Sequence, residues 1–339
     1  METPHIFSVI MPCYNSEAYL RSAVDSICAQ SYPHWELIAV NDGSTDATLS
    51  ILQQYASADS RIKIFSKPNG GYVSAVNTGL EQISGDYFLL MGSDDRLSPD
   101  LFQKLWETSQ QNAPDCIAFR TVIFQDGQNL GVESVSNFPT AVSQFDTNLA
   151  RFSQEYPIHA DIFFTRDTSK CYKTTLLGDI RYLGRYGFDA DGIFSMMLCH
   201  KARSFAATVV DGYFWTLRGD SLSGRKSFFA QDLDRMVIWT QFFQSLLPLD
   251  NQEIAAVEKN FLYYFVEILE SVWAAQGRPS PEVNQAISTI RAMVKKTGFD
   301  LSVSGETKLL LTPPRLRMLY DHLPNAVRRM IHRQPEANS

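Results

Sequence analysis

Tyr87-Phe88-Leu89-Leu90-Met91-Gly92-Ser93-Asp94-Asp95 is an apolar run that stops on small and acidic residues, and its reading decides the fold. Five apolar side chains in a row are too few for a helix and show no polar alternation, the pattern of a strand covered on both faces. Upstream the same unit recurs. Ile6 to Met11 closes at Pro12-Cys13-Tyr14-Asn15, Trp35 to Val40 closes at Asn41-Asp42-Gly43-Ser44, and Ile62 to Phe65 runs on to Asn69-Gly70-Gly71. Between these runs apolar residues recur at helical spacing: Leu20, Val24 and Ile27, then Leu49, Leu52 and Tyr55, then Val73, Val76, Leu80 and Ile83. Strands and helices alternating over short connections predict an α/β fold, a mostly parallel, doubly wound sheet flanked by helices.

Downstream the pattern loosens. Asp115 to Phe124 reads as a further strand, Asp126-Gly127 ends the regular alternation, and two strand-like stretches follow at Ala206 to Val210 and Tyr213 to Leu217. Beyond Gln231 the chain reads as helical, with Phe261, Phe265, Ile268, Leu269 and Val272 on one apolar face and breaks at Gly277-Arg278-Pro279 and Pro313-Pro314. Three regions are expected: 1–125, 126–230 and a C-terminal helical appendage over 231–339.

Composition narrows the function classes. The 339 residues exceed what one core usually organises. Lys and Arg number 30 against 37 Asp and Glu, a net charge of -7 that repels a polyphosphate backbone and excludes a nucleic-acid partner. Five scattered cysteines without C-x-x-C spacing argue against a disulfide framework or a zinc site. Met1 to His5 has no basic, apolar leader pattern, and no apolar run reaches the ~18 residues of a membrane span, so a cytoplasmic protein is expected.

In open parallel sheets the ligand crevice lies beyond the carboxyl ends of the strands, where the polar clusters quoted above fall. Taken singly each is a turn residue; gathered at four strand ends they imply a ligand site. No G-x-G-x-x-G follows the first strand and no G-x-x-x-x-G-K-[ST] occurs, so any phosphate needs another device. Adjacent carboxylates at Asp94 and Asp95 repel unless a cation neutralises them, and Mg²⁺ takes one or two carboxylates plus substrate phosphates. Alternation along an extended chain would send the two side chains to opposite faces and divide their labour.

Ser8-Val9-Ile10-Met11-Pro12-Cys13-Tyr14-Asn15, Val40-Asn41-Asp42-Gly43-Ser44-Thr45-Asp46, Asn69-Gly70-Gly71 and Gly92-Ser93-Asp94-Asp95 resemble, in this order, the signatures of family 2 glycosyltransferases over roughly residues 6–105. The resemblance implies a GT-A fold, with Pro12 and Tyr14 packed on the nucleotide base and Asp42 accepting a hydrogen bond from it, commonly from uracil. The family's D-x-D motif maps onto Gly92-Ser93-Asp94, so its first acid is missing. Asp94 then inherits the Mn²⁺ or Mg²⁺ ligand role, and Asp95 serves as its backup. Val76 stands where relatives often carry Arg, which leaves Lys67 as a replacement diphosphate contact; Asn69 and Ser93 complete the donor-facing set.

Gly187-Phe188-Asp189-Ala190-Asp191-Gly192-Ile193-Phe194 is similar to the family's Glu-Asp motif, with Ala190 in place of Glu. Spacing to Phe194 makes Asp191 the matching catalytic base and Asp189 its rival; the plain alternative is a pair of helix N-terminal acids. Trp215 to Ser223 is similar to the Tyr-x-x-Arg-x-x-Ser-x-Ser segment of bacterial members, in which Arg218 would steady the diphosphate unless it is simply a solvated arginine.

The resemblance thus assigns 1–125 to the nucleotide-sugar half of the GT-A domain and 126–230 to the acceptor and catalytic-base half. Near the C-terminus, Leu316, Leu319, Tyr320, Leu323, Val327, Met330 and Ile331 are interleaved with Arg315, Arg317, Arg328, Arg329 and Arg333. Such a basic amphipathic stretch suits peripheral contact with the cytoplasmic face of a membrane, packing on its own domain, or a second subunit of a homo-oligomer. The expected function is an inverting, metal-assisted glycosyltransferase of polysaccharide biosynthesis that moves a sugar from a UDP-type nucleotide-sugar donor to a glycan or lipid-linked acceptor. Two other classes stay open. A sugar nucleotidyltransferase would usually carry a Gly-rich basic loop where Pro12-Cys13-Tyr14-Asn15 stands, and a catalytically silent glycan-binding or assembly subunit would tolerate Gly92 and Ala190.

Overall fold

A computed structural model describes residues 4–125, 128–133, 167–184, 190–218 and 288. The chain divides into two compact units, Met1–Lys226 and Ser227–Ser339. Apart from residue 288, everything described lies in the first. The expected helices beyond Gln231 and the basic amphipathic stretch fall outside the described residues.

The first unit begins with β1 (Phe7–Cys13), α1 (Leu20–Cys28), β2 (Trp35–Asp42), α2 (Thr48–Ala58), β3 (Ile62–Lys67), α3 (Tyr72–Leu80) and β4 (Tyr87–Leu90). Strands β3, β2, β1 and β4 lie side by side and parallel. All eight residues of β2 are buried, as a strand covered on both faces requires, with polar Glu36, Asn41 and Asp42 only towards its ends. Helix α1 buries Leu20, Ala23, Val24 and Ile27, one stripe at spacings of three and four. Register levels the strand ends: Cys13 pairs with Asn41 and Asp42 with Lys67, so the polar residues that terminate the strands emerge along one edge.

The opposite end is closed by a buried acid. Glu36 accepts the Ser8 hydroxyl at 2.6 Å, the Lys63 ammonium at 2.6 Å, and the Ser84 amide and hydroxyl at 2.8 Å each. Burial opposes its ionisation, but the bonds from Lys63, Ser8 and Ser84 outweigh that and hold its pKa below the ordinary carboxylate value.

After β4 the sheet becomes mixed. β5 (Arg96–Leu97), α4 (Leu101–Ser109), β6 (Cys116–Gln125), β7 (Gln128–Glu133), β8 (Lys170–Lys173), α5 (Ala190–Lys201) and β9 (Phe205–Leu217) extend the order to β3-β2-β1-β4-β8-β6-β9-β5, with β7 on β6. β8 is antiparallel to both β4 and β6, while β9 runs parallel to β6. The two stretches expected around Ala206 and Tyr213 are one 13-residue strand. At Asp211-Gly212, between the two expected stretches, the chain continues with register shifts opposite Ala118 to Thr121. Gly212 is needed there for closeness, because a Cβ would lie 2.6 Å from Leu101 and 2.9 Å from Phe119.

Candidate active site

At the ends of β2 and β3 the chemistry is carried by Asp42, which is 2% exposed. Its Oδ1 accepts the Lys67 ammonium at 2.7 Å and the Gly70 amide at 3.0 Å, and its Oδ2 accepts the Gly71 amide at 2.8 Å. Lys67 also donates to the Pro68 carbonyl at 2.8 Å. Asp42 therefore organises the turn into α3, and Oδ2 keeps a lone-pair direction for a further donor. Asn69 is exposed, with its side-chain oxygen on the Gly71 amide at 3.2 Å. Gly43, at φ 70, lets the neighbouring strand-end loops meet, since a Cβ there would lie 2.7 Å from the Asn69 nitrogen.

At the end of β1, Pro12 is half-buried and Tyr14 is 52% exposed, an apolar ring held at the rim of the sheet edge. The loop behind it is pinned. Asn15, in the left-handed region at φ 47, receives the Thr45 amide on its side-chain oxygen at 2.9 Å, and its own amide donates to the Ser44 hydroxyl at 3.1 Å. Ser16 shares a 2.7 Å hydroxyl bond with Ser93, which ties the β1 loop to the β4 end.

Gly92 to Asp95 form a turn closed by the Asp95 amide on the Gly92 carbonyl at 3.2 Å. Side-chain alternation holds only along an extended chain, so the expected opposite orientation of Asp94 and Asp95 does not occur. Both carboxylates fold back beside Gly92, where a Cβ would stand 2.5 Å from Asp95 Oδ2 and 2.8 Å from Asp94 Oδ1. Their surroundings still differ. Asp95 is buried, accepting the Tyr213 hydroxyl at 2.5 Å and the Thr216 amide at 2.8 Å. Burial, and then the charge of Asp94, push its pKa upward despite those donors and Arg218. Asp94 is partly exposed, and its Oδ2 receives Arg218 Nε at 3.0 Å and Nη2 at 2.8 Å. The same guanidinium lies 4.2 Å over the ring of Tyr19.

Asp191 stands in the first turn of α5, where the helix dipole favours an anion. Asp189, its rival, lies outside the described residues. Around Asp191 the fold gathers residues that sequence reading missed. Asp167 is 1% exposed, and its Oδ2 has no hydrogen-bond partner among the described residues. Burial and then the charge of Asp191 raise its pKa, with buried Lys170 opposing. The Tyr72 phenol is pushed well above its ordinary value by burial, then by Asp167, Asp191, Asp95 and Asp94 in turn. Acids from the turn after β4, from the segment before β8 and from α5 thus act electrostatically on one ring. Tyr182 lies edge-on to Tyr72 at 6.0 Å and tilted on Phe194 at 4.5 Å, and two hydrogen bonds to Asn77 of α3, at 2.8 and 3.0 Å, hold it there. Tyr72 had a usable signal as the first residue after the Gly70-Gly71 turn. Asp167 had none, because it sits where periodicity is weakest.

Among the described residues no group of three or more His, Cys, Asp or Glu is arranged to hold a metal ion. The fit is a minimal one: a single partly exposed carboxylate, Asp94, which suits an ion that completes its shell with substrate phosphates and water.

A half-parallel sheet with its acids at the carboxyl edge and no glycine-rich phosphate nest defines a GT-A domain. Residues 8–169 match the family model described as Glycosyl transferase family 2. The chain's relatives include the glycosyltransferase GlyA of Streptococcus pneumoniae serotype 4, 31% identical over 185 residues that cover 54% of this chain and 26% of GlyA. The uncharacterized glycosyltransferase EpsJ of Bacillus subtilis is 38% identical over 112 residues, 33% of each chain. The chain thus spans about a quarter to a third of these relatives. Crystal structures of Staphylococcus aureus TarS 1–349 share the fold. The UDP-GlcNAc complex has a TM-score of 0.60 at 22% identity, covering 86% of this chain and 81% of that one. The structure solved without a named ligand has a TM-score of 0.62 at 20% identity, covering 90% and 85%. No described helix is long and apolar enough to cross a membrane.

Proposed function

We propose that the chain is an inverting glycosyltransferase that moves a sugar from a UDP-type nucleotide donor to a glycan or lipid-linked acceptor. The observation that carries this reading is the set of acids at the carboxyl edge of the sheet, Asp42 at the end of β2, Asp95 held by Tyr213 and Asp94 paired with Arg218. Tyr14, exposed at the rim, and Pro12 offer a stacking surface to the base. Asp42, set by Lys67 and the two glycine amides, presents its remaining lone pair to a base N–H. Ser93 and Asn69 line the same edge.

Asp191 takes the proton of the acceptor hydroxyl as its oxygen attacks the anomeric carbon from the face opposite the nucleotide. The bond from that carbon to the diphosphate oxygen breaks, and the electron pair leaves with the nucleoside diphosphate. Asp94 would hold a Mn²⁺ or Mg²⁺ ion, which when bound supplies positive charge to the departing diphosphate. Arg218 adds a fork of donors suited to phosphate oxygens.

The division into a donor half over 1–125, an acceptor half over 126–230 and a helical appendage over 231–339 belongs to this proposal. So do cytoplasmic location, membrane contact through the basic C-terminal stretch, and self-association. A thermal-shift screen of nucleotide sugars with and without Mn²⁺ tests the core of it, since ligand that binds only the folded state raises the midpoint. Stabilisation by UDP and a UDP-sugar, followed by release of UDP on transfer, is the expected result. Pyrophosphate release would mark a nucleotidyltransferase, and donor binding without turnover across an acceptor panel would mark a silent subunit.

A further inference from the structure

We propose that Arg218 is the resident cation of the donor site and that a divalent ion reaches Asp94 only by displacing it. The inference rests on the donor-site reading above and concerns how that site is charged before donor arrives.

Asp94 Oδ2 takes both Arg218 contacts, Nε at 3.0 Å and Nη2 at 2.8 Å, with the two side chains only 23% and 21% exposed. Tyr19 covers the other face of the guanidinium at 4.2 Å, so the arginine is held from two sides. The rest of the cluster cannot supply a second ligand cheaply. Asp95 is committed to the Tyr213 hydroxyl and the Thr216 amide. A side chain at position 92 would collide with both carboxylates, since even a Cβ falls 2.5 Å from one and 2.8 Å from the other. The Thr216 bond to Asp95 also anchors the end of β9, and so fixes where Arg218 begins.

A single carboxylate already neutralised by a guanidinium is a poor site for a bare ion. A diphosphate changes this: its oxygens can take the arginine fork and add ligands of their own, so Asp94 is released to the ion as the nucleotide binds. Metal and nucleotide should therefore bind with positive cooperativity, and Arg218 sets its size.

The test is a Mn²⁺ titration followed by electron paramagnetic resonance of the free ion, with and without UDP, on the full chain and three variants. Arg218→Gln should bind Mn²⁺ alone about two- to fivefold more tightly than wild type, as expected for loss of one partly exposed ion pair, and UDP should enhance that binding less. Asp94→Asn should lose the tight binding. Arg96→Gln is the control for net charge: Arg96 is two residues from Asp94, exposed, and stacked on Phe124 and Phe214 at 5.7 and 5.8 Å. Equal Mn²⁺ affinity in wild type and Arg218→Gln, or equal tightening by Arg96→Gln, would overturn the exchange. So would absence of Mn²⁺ binding in every form, even while UDP still raised the melting temperature and supported the nucleotide site. Tightening by Arg218→Gln alone, with no stabilisation by UDP, would support displacement of Arg218 and overturn the donor reading instead.

Discussion

The Tyr213 hydroxyl donates to Asp95 Oδ2 at 2.5 Å and accepts the Gly92 amide at 3.0 Å, joining the turn after β4 to a strand 118 residues downstream. This bond fixes which acid of the pair turns inward. It leaves Asp94 as the carboxylate available to a ligand.

Replacing Tyr213 by Phe removes both bonds and leaves a buried carboxyl without its hydroxyl donor. Urea denaturation should show a loss of about 1–3 kcal/mol, the range for an unmet buried polar group. A second readout is Mn²⁺ binding in the presence of UDP, which should weaken as the turn loosens.

Gly92 is held by space. In Gly92→Ala the new methyl must displace one of two carboxylates, so a cost of about 1–3 kcal/mol is expected from overpacking. Restoring the family's missing acid with Gly92→Asp should be at least as costly. An unchanged melting temperature in both variants would show that the turn relaxes freely.

Asp167 should make folding sensitive to rising pH. Its folded-state pKa lies above the ordinary value of 3.8, so its contribution is complete below that value and is lost as pH rises through the folded one. In Asp167→Asn this titration is absent. The stability of the variant relative to wild type should increase from about pH 4 upward, measured by denaturation at a series of pH values.

Glu36 predicts the opposite slope. Its folded pKa is depressed below 4.5, so its stabilisation is present above that value and disappears as pH falls through the folded one. Glu36→Ala should lose about 1.5–3 kcal/mol near neutrality, the range for hydrogen bonds to a charged group. The gap to wild type should narrow in acid. Nucleotide affinity should change little, because Glu36 sits at the far end of β2.

Asp191→Asn separates binding from chemistry. UDP-sugar should stabilise the variant as it does wild type, while turnover falls by about 10²- to 10⁴-fold, the usual contribution of a positioned base. Full turnover would move the base elsewhere, first to Asp189.

The four parallel strands and the polar ends of each were legible in the sequence because a strand buried on both faces is mostly apolar, and Leu37 to Val40 or Tyr87 to Met91 can be little else. Asp42 and Asp94 could be named for the same reason, since each stands where an apolar run ends, whereas Asp191 was named through the family resemblance alone. Local pattern, however, split one strand into two at Asp211-Gly212 and read Asp94-Asp95 as an extended pair. Both depend on a neighbour remote in the chain, Phe119 and Leu101 for the glycine and Tyr213 for the acids.

By itself, then, the amino-acid sequence determined the strand and helix alternation, the edge on which polar groups collect, and the family that residues 8–169 match. Those follow from hydrophobic period and from short ordered motifs, which are local properties. Only the tertiary structure decided that Asp95 is sealed by Tyr213 and Thr216, that Asp94 is paired with Arg218, and that Asp167 and Tyr72 feel the charge of Asp191. Desolvation and charge pairing act through space, between residues whose separation along the chain carries no record of their contact.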